Sequence, residues 1–156
     1  MKNRTRTAIA AVAFVGGSIA AFAHNGATGI VMERMDGMMA MGKELSAVGD
    51  MFKGKAHFDP AKIEASSDVI KELAAEIAEL FPDTDESRKG RGTEALQVIW
   101  EKPDAFNALA KELEERSEEL VELAKSGDKR KIRVGFAKLS KTCVACHTDY
   151  RKPKAN

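Results

Sequence analysis

The chain has 156 residues, of which 44% are hydrophobic and 31% charged, and its formal net charge at pH 7 is +1. This length suits one domain with a single hydrophobic core. Because basic and acidic residues nearly balance, the chain lacks the positive excess that is typical of nucleic-acid binding, and we expect no nucleic-acid partner.

The N-terminus predicts a secretory signal peptide over residues 1–23. Three basic residues precede an apolar run over residues 8–23, which ends in the small-residue pattern Ala21-Phe22-Ala23. The run is too short and too rich in alanine and glycine to span a bilayer, which needs about 20 predominantly apolar residues. We therefore expect export to the periplasm and no stable membrane insertion after cleavage. Residues 24–156 remain as the folded domain.

Four amphipathic helices are predicted in this domain, because apolar side chains recur there every three or four residues. Their approximate ranges are 28–53, 60–81, 103–125 and 132–150. No segment shows the alternation that is typical of a strand. The predicted fold is therefore all-α, an antiparallel four-helix bundle in which each helix buries one apolar stripe.

Both cysteines of the chain lie in the pattern Cys143-Val144-Ala145-Cys146-His147. C-x-x-C-H is the attachment signal for c-type haem, in which two thiols form thioethers with the haem and the adjacent imidazole binds the iron. Structural zinc needs four ligands and commonly a second cysteine pair, and a redox dithiol belongs near a βαβ pattern. We therefore predict one covalent haem c on Cys143 and Cys146, with His147 as the proximal axial ligand.

The helical pattern and the C-terminal position of this motif resemble the class II cytochromes c, the cytochrome c′ family. Lys53-Gly54-x-x-x-Phe58-Asp59 is similar to the family's K-G-x-x-x-Y/F-D turn. Ile99-Trp100 resembles the Ile-Trp pair of its long loop, and the segment 143–152 resembles its haem-binding ending almost residue for residue. The resemblance covers the whole domain and implies a four-helix bundle with a C-terminal covalent haem site.

The resemblance leaves the sixth position of the iron to be assigned. In the low-spin branch of the family a methionine of the first helix binds the iron, and a methionine–histidine pair is typical of electron-transfer cytochromes. Met38 matches that position, four residues after Arg34 and sixteen before Gly54. We expect Met38 to be the distal axial ligand and the protein to carry single electrons in the periplasm. The sequence shows no catalytic pattern, so we expect no enzyme.

Two other functions stay open. Methionines at helical spacing also serve as core packing, and Met35 and Met41 share the stripe of Met38. If Met38 only packs, the resemblance implies the high-spin branch, in which a five-coordinate iron binds small gases such as NO and CO. The other open function is that of a periplasmic copper-binding module, because His24 would begin the mature chain and thioethers suit Cu(I).

Basic residues surround the predicted haem attachment point, namely Lys138, Lys141, Arg151, Lys152 and Lys154. A positive rim of this kind would steer an acidic redox partner to a transient interface. Arg151 and Arg34 are also candidate contacts of the haem surroundings, since arginine suits carboxylates such as haem propionates. We expect a monomer or a homodimer.

Overall fold

The computed structural model describes residues 26–153, which contain six α-helices. They are α1 (Gly29–Phe52), α2 (Pro60–Ala75), α3 (Asp85–Lys89), α4 (Val98–Glu101), α5 (Pro103–Lys125) and α6 (Lys129–Tyr150). The four long helices form the bundle, in which α2 packs on α1 and α5, and α5 packs on α6. The predicted all-α four-helix bundle is confirmed. Within residues 26–153 the extended pairing is limited to one isolated bridge, between Ala95 and Arg151.

The helix ends follow from local backbone chemistry. Gly54, which follows the C-cap residue Lys53 of α1, has a φ of +74°, a conformation that costs glycine little. The Asp59 carboxylate accepts hydrogen bonds from the first free N–H groups of α2, and Pro60 occupies the first helical position. Asp128 caps α6 in the same way. These capping residues place the turns of the two hairpins, α1–α2 and α5–α6.

The second helix ends earlier than its apolar pattern predicts. After Ala75 the chain continues as successive turns, and the carbonyls of these turns bond to distant side chains. Arg34 donates to the carbonyl of Leu80, and the Trp100 indole N–H donates to that of Phe81 at 3.0 Å. Most backbone bonds after Ala75 span three residues, as from the Glu79 N–H to the Glu76 carbonyl at 3.1 Å. The segment therefore leaves the α-helical path, and Phe81 at its end forms part of one wall of the site described below.

The bundle core consists of aliphatic side chains from every long helix. Ile63, Leu120, Ile132 and Leu139 are almost wholly buried. Among the described helices, none is long and apolar enough to cross a membrane. The predicted signal peptide and His24, on which the copper hypothesis depends, lie outside the described residues.

Candidate haem site

A cavity of about 360 Å³ lies between α1, the segment that follows α3, and the C-terminal turns of α6. Its volume is within the range of about 300–1,000 Å³ that is usual for cofactor sites. Each wall comes from a different part of the chain. α1 contributes Val31, Arg34, Met35, Met38, Met39 and Gly42, and α6 with its following residue contributes Cys146, His147, Tyr150 and Arg151.

The predicted attachment residues lie on one side of this cavity. Cys146 and His147 line it, Cys143 is one helical turn earlier, and both thiols are free and partly buried. Burial raises the pKa of both thiols, that of Cys146 to about 11. His147 is exposed and lines the cavity together with Cys146.

Aromatic rings form the inner wall of the cavity. The ring centroids of Phe81 and Phe106 are 4.7 Å apart, and those of Phe106 and Tyr150 are 5.2 Å apart. Both pairs meet edge to face, which is a favourable arrangement of aromatic rings. Two thiols, an adjacent imidazole and an apolar aromatic wall together fit a covalently attached haem.

The methionines of α1 differ in their relation to the cavity. Met35, Met38 and Met39 line it; the first two are partly buried, while Met39 has 54% of its surface exposed. Met41 is 9% exposed and belongs to the bundle core instead. Of the stripe that the sequence indicated, Met35 and Met38 therefore face the site and Met41 does not.

Arg34 is a buried cation in the wall of the cavity, with 6% of its surface exposed. Its guanidinium donates hydrogen bonds to protein oxygens of Leu80, Ser87 and Thr93, and lies 3.9 Å from the centroid of the Phe81 ring. Burial lowers the pKa of Arg34 to about 10, so the group remains charged at neutral pH. A contact of Arg34 with a haem propionate stays a prediction.

Of the predicted basic rim, two members form ion pairs. Arg151 donates to Glu94 through Nε at 2.7 Å, and the Lys138 ammonium lies 2.7 Å from a Glu119 oxygen. Lys154 lies outside the described residues. Docking of an acidic redox partner on this rim stays a prediction.

Several residues of the site gave no signal in the sequence. Gly92, Thr93, Glu94 and Ala95 reach the cavity from a segment with no apolar period. Phe106 and Tyr150 stood on predicted apolar stripes, but a stripe does not distinguish the wall of a cofactor site from ordinary core. Only the fold brings these residues together.

A helical bundle with a thiol pair and an adjacent imidazole at one end of an apolar cavity defines a class of covalent haem protein. The family model described as Cytochrome C′ matches residues 29–151. Cytochrome c′ of Alcaligenes xylosoxydans xylosoxydans is 30% identical over 125 residues, which cover 80% of this chain and 94% of the relative. The chain belongs to the cytochrome c′ family and carries one covalently attached haem c.

Solved structures agree with this assignment. Cytochrome c prime from Shewanella frigidimarina is 31% identical, with a TM-score of 0.71 over 77% of this chain and 91% of that chain. A nitric oxide complex of a variant of cytochrome c prime from Alcaligenes xylosoxidans is 27% identical, with a TM-score of 0.69 over 80% of this chain and 94% of that chain.

The prediction of a His/Met-ligated electron carrier is wrong. The matched family model and the relatives described above are cytochromes c′, and a variant of one of them forms a nitric oxide complex, which agrees with the gas-binding alternative. The prediction followed from assigning Met38 as an iron ligand, although a methionine on the apolar stripe of α1 serves equally as a packing side chain. Met38 lines the cavity, which is also where an apolar distal residue must lie.

Proposed function

We propose that the protein is a periplasmic cytochrome c′ that binds small gases, NO and CO, at a five-coordinate haem iron. The observation that carries the proposal is the similarity to cytochromes c′, of which one variant forms a nitric oxide complex. The composition of the cavity is compatible with it. Its α1 wall presents thioether and aliphatic side chains, and the one polar group there, Arg34, is directed at protein oxygens. In the part of the chain that the structure describes, His147 is the one imidazole that lines the cavity.

Each site residue then has a distinct role. Cys143 and Cys146 attach the haem, and His147 binds the iron from the α6 side. The bound haem supplies an iron centre whose sixth position can take a diatomic gas. Met38 packs over that position from α1 and limits access to it, without binding the iron. The aromatic wall of Phe106 and its neighbours excludes water.

The apolar character of the α1 wall also sets the preference among gases. Distal polarity, hydrogen-bond donors and steric access decide how a haem pocket treats its ligands. NO and CO need no donor, whereas bound O₂ carries charge that a donor stabilises. We therefore expect NO and CO to bind and O₂ to bind weakly.

Visible absorption of the reduced protein tests the coordination state. A broad, merged band between the usual α and β positions, followed by spectral change on addition of NO or CO, is the expected result. Sharp and intense α and β bands before any gas is added would show a six-coordinate iron and would overturn the proposal.

The periplasmic location depends on the predicted signal peptide. Mass spectrometry of the mature protein from a periplasmic extract should give the mass of residues 24–156 plus one haem. A mass that includes residues 1–23 would contradict cleavage.

A further inference from the structure

The two helices that flank the cavity are held mainly by other helices. α1 packs chiefly on α2, and α6 chiefly on α5. The rings of Phe52 in α1 and Phe136 in α6 meet at 5.4 Å between centroids, but neither ring lines the cavity. At the haem end, the separation of α1 and α6 therefore depends on the segment that lies between them. This segment, called the loop below, is the connection of residues 76–97 from α2 to α4, which includes α3.

Arg34 attaches this loop to α1. Its Nε and Nη2 donate to the Leu80 carbonyl at 3.1 and 3.0 Å, and Nη2 also donates to the Ser87 hydroxyl at 2.7 Å. Nη1 donates to the Thr93 hydroxyl at 3.3 Å. One planar group thus holds three separate points of the loop, which suits the fixed donor geometry of a guanidinium.

The same loop is attached to α6 by backbone pairing. The Leu96 N–H donates to the Tyr150 carbonyl at 2.9 Å, and the Lys152 N–H donates to the Glu94 carbonyl at 2.8 Å. These bonds lie directly after the turn that carries His147. Thr93 joins the two attachments, because its hydroxyl also accepts from the Ala95 N–H at 3.3 Å.

We propose that Arg34 is a positioning residue that sets the distance between the distal and proximal walls of the haem cavity. It connects α1, where Met38 lies one turn further on, to the end of α6 through Thr93 and the 93–96 segment. The role of Met38 in this inference rests on the proposed function, whereas the link from Arg34 to α6 does not.

Loss of the guanidinium leaves the Leu80 carbonyl and the Ser87 and Thr93 hydroxyls without their donor. This raises the free energy of the state in which the loop is packed against α1. The loop then moves away from α1, and the cavity between α1 and α6 widens. The expected consequence is faster entry of gas together with weaker pairing of the 93–96 segment with α6.

The test compares holoprotein variants Arg34→Met and Thr93→Val with Arg88→Met as the matched control. Arg88 is an arginine of the same region that bonds Asp83 and Gln97 and does not line the cavity. Two quantities are measured: the association rate constant of CO with the reduced protein, and hydrogen exchange of the Leu96 and Lys152 amides.

We expect Arg34→Met to raise the CO association rate constant about fivefold, which is within the usual range of coupling between contacting residues, and Thr93→Val to raise it less. Both variants should exchange the two amides faster, and Arg88→Met should match wild type. A merely structural role would lower the unfolding midpoint but leave the CO rate unchanged. Wild-type CO rates and amide exchange in Arg34→Met, or an equal effect of Arg88→Met, would overturn the proposal.

If Arg34→Met does not fold, Thr93→Val decides, and wild-type values in that variant would overturn the proposal. The outcome is separate from that of the proposed function. A six-coordinate wild type would refute gas binding at an open iron, but the ratio of variant to wild-type rates would still support or refute the role of Arg34.

Discussion

Replacing Met38 with alanine tests whether this side chain controls access to the iron. Met38 is partly buried, lines the cavity and packs against the bundle core. On the proposed function it must move aside when a gas molecule binds. Alanine removes the thioether and opens space on the α1 side without adding a polar group.

The size of the effect follows from the burial of the side chain. Full burial of a methionine is worth about 1.5–3 kcal/mol, and partial burial of Met38 leaves about 1 kcal/mol to be lost on displacement. Because 1.36 kcal/mol corresponds to a tenfold change in rate, Met38→Ala should bind CO about fivefold faster than wild type. The equilibrium spectrum of the reduced protein should stay high-spin in both.

Stopped-flow or flash-photolysis measurement of CO association gives this rate directly, and two other methionines of α1 provide controls. Met32→Ala changes a side chain of α1 that is 39% exposed and does not line the cavity, and it should leave the rate near wild type. Met41→Ala should lower the free energy of unfolding by about 2–5 kcal/mol without a large change in rate, since Met41 belongs to the core. An unchanged rate in Met38→Ala, or a larger acceleration in Met35→Ala, would refute the assignment of the distal position.

Three further predictions concern attachment and stability. Cys143→Ala or Cys146→Ala should leave at most one thioether, and the double variant should release all its haem into acidic organic solvent. Haem that stays on the double variant would show that these thiols do not attach it. Trp100→Phe should lower the free energy of unfolding in denaturant by about 1–2 kcal/mol, because two backbone carbonyls after α2 lose a donor; an unchanged midpoint would show that the indole N–H does not hold this turn. Lys138 and other cations lower the pKa of Glu119 below its ordinary 4.5, so its contribution to stability is present above that value and is lost as the pH falls through the lowered pKa. Glu119→Gln should therefore weaken the fall of the thermal midpoint on acidification, and a parallel pH profile for the two proteins would contradict this.

The sequence alone determined most of the bundle and the haem attachment motif. The 3.6-residue period of apolar side chains is a local property, and so is the Asp59-Pro60 pair that begins α2. The predicted start of the last helix at residue 132 was three residues late, because the Asp128 cap carries no apolar signal. The C-x-x-C-H pattern is equally local, since two thiols and an imidazole within one turn of helix need no distant residue to be recognised.

The tertiary structure decided where α2 ends and what surrounds the haem. Leu80 stood on the apolar stripe of the predicted second helix, and Thr93 shows no periodic signal. Both join the site because Arg34, far away in the chain, bonds their oxygens. Nor did the period of α1 separate Met38 from Met41, although one lines the cavity and the other the core. Such differences depend on which element packs against each face of a helix. The spacing of apolar residues along one helix does not contain that information.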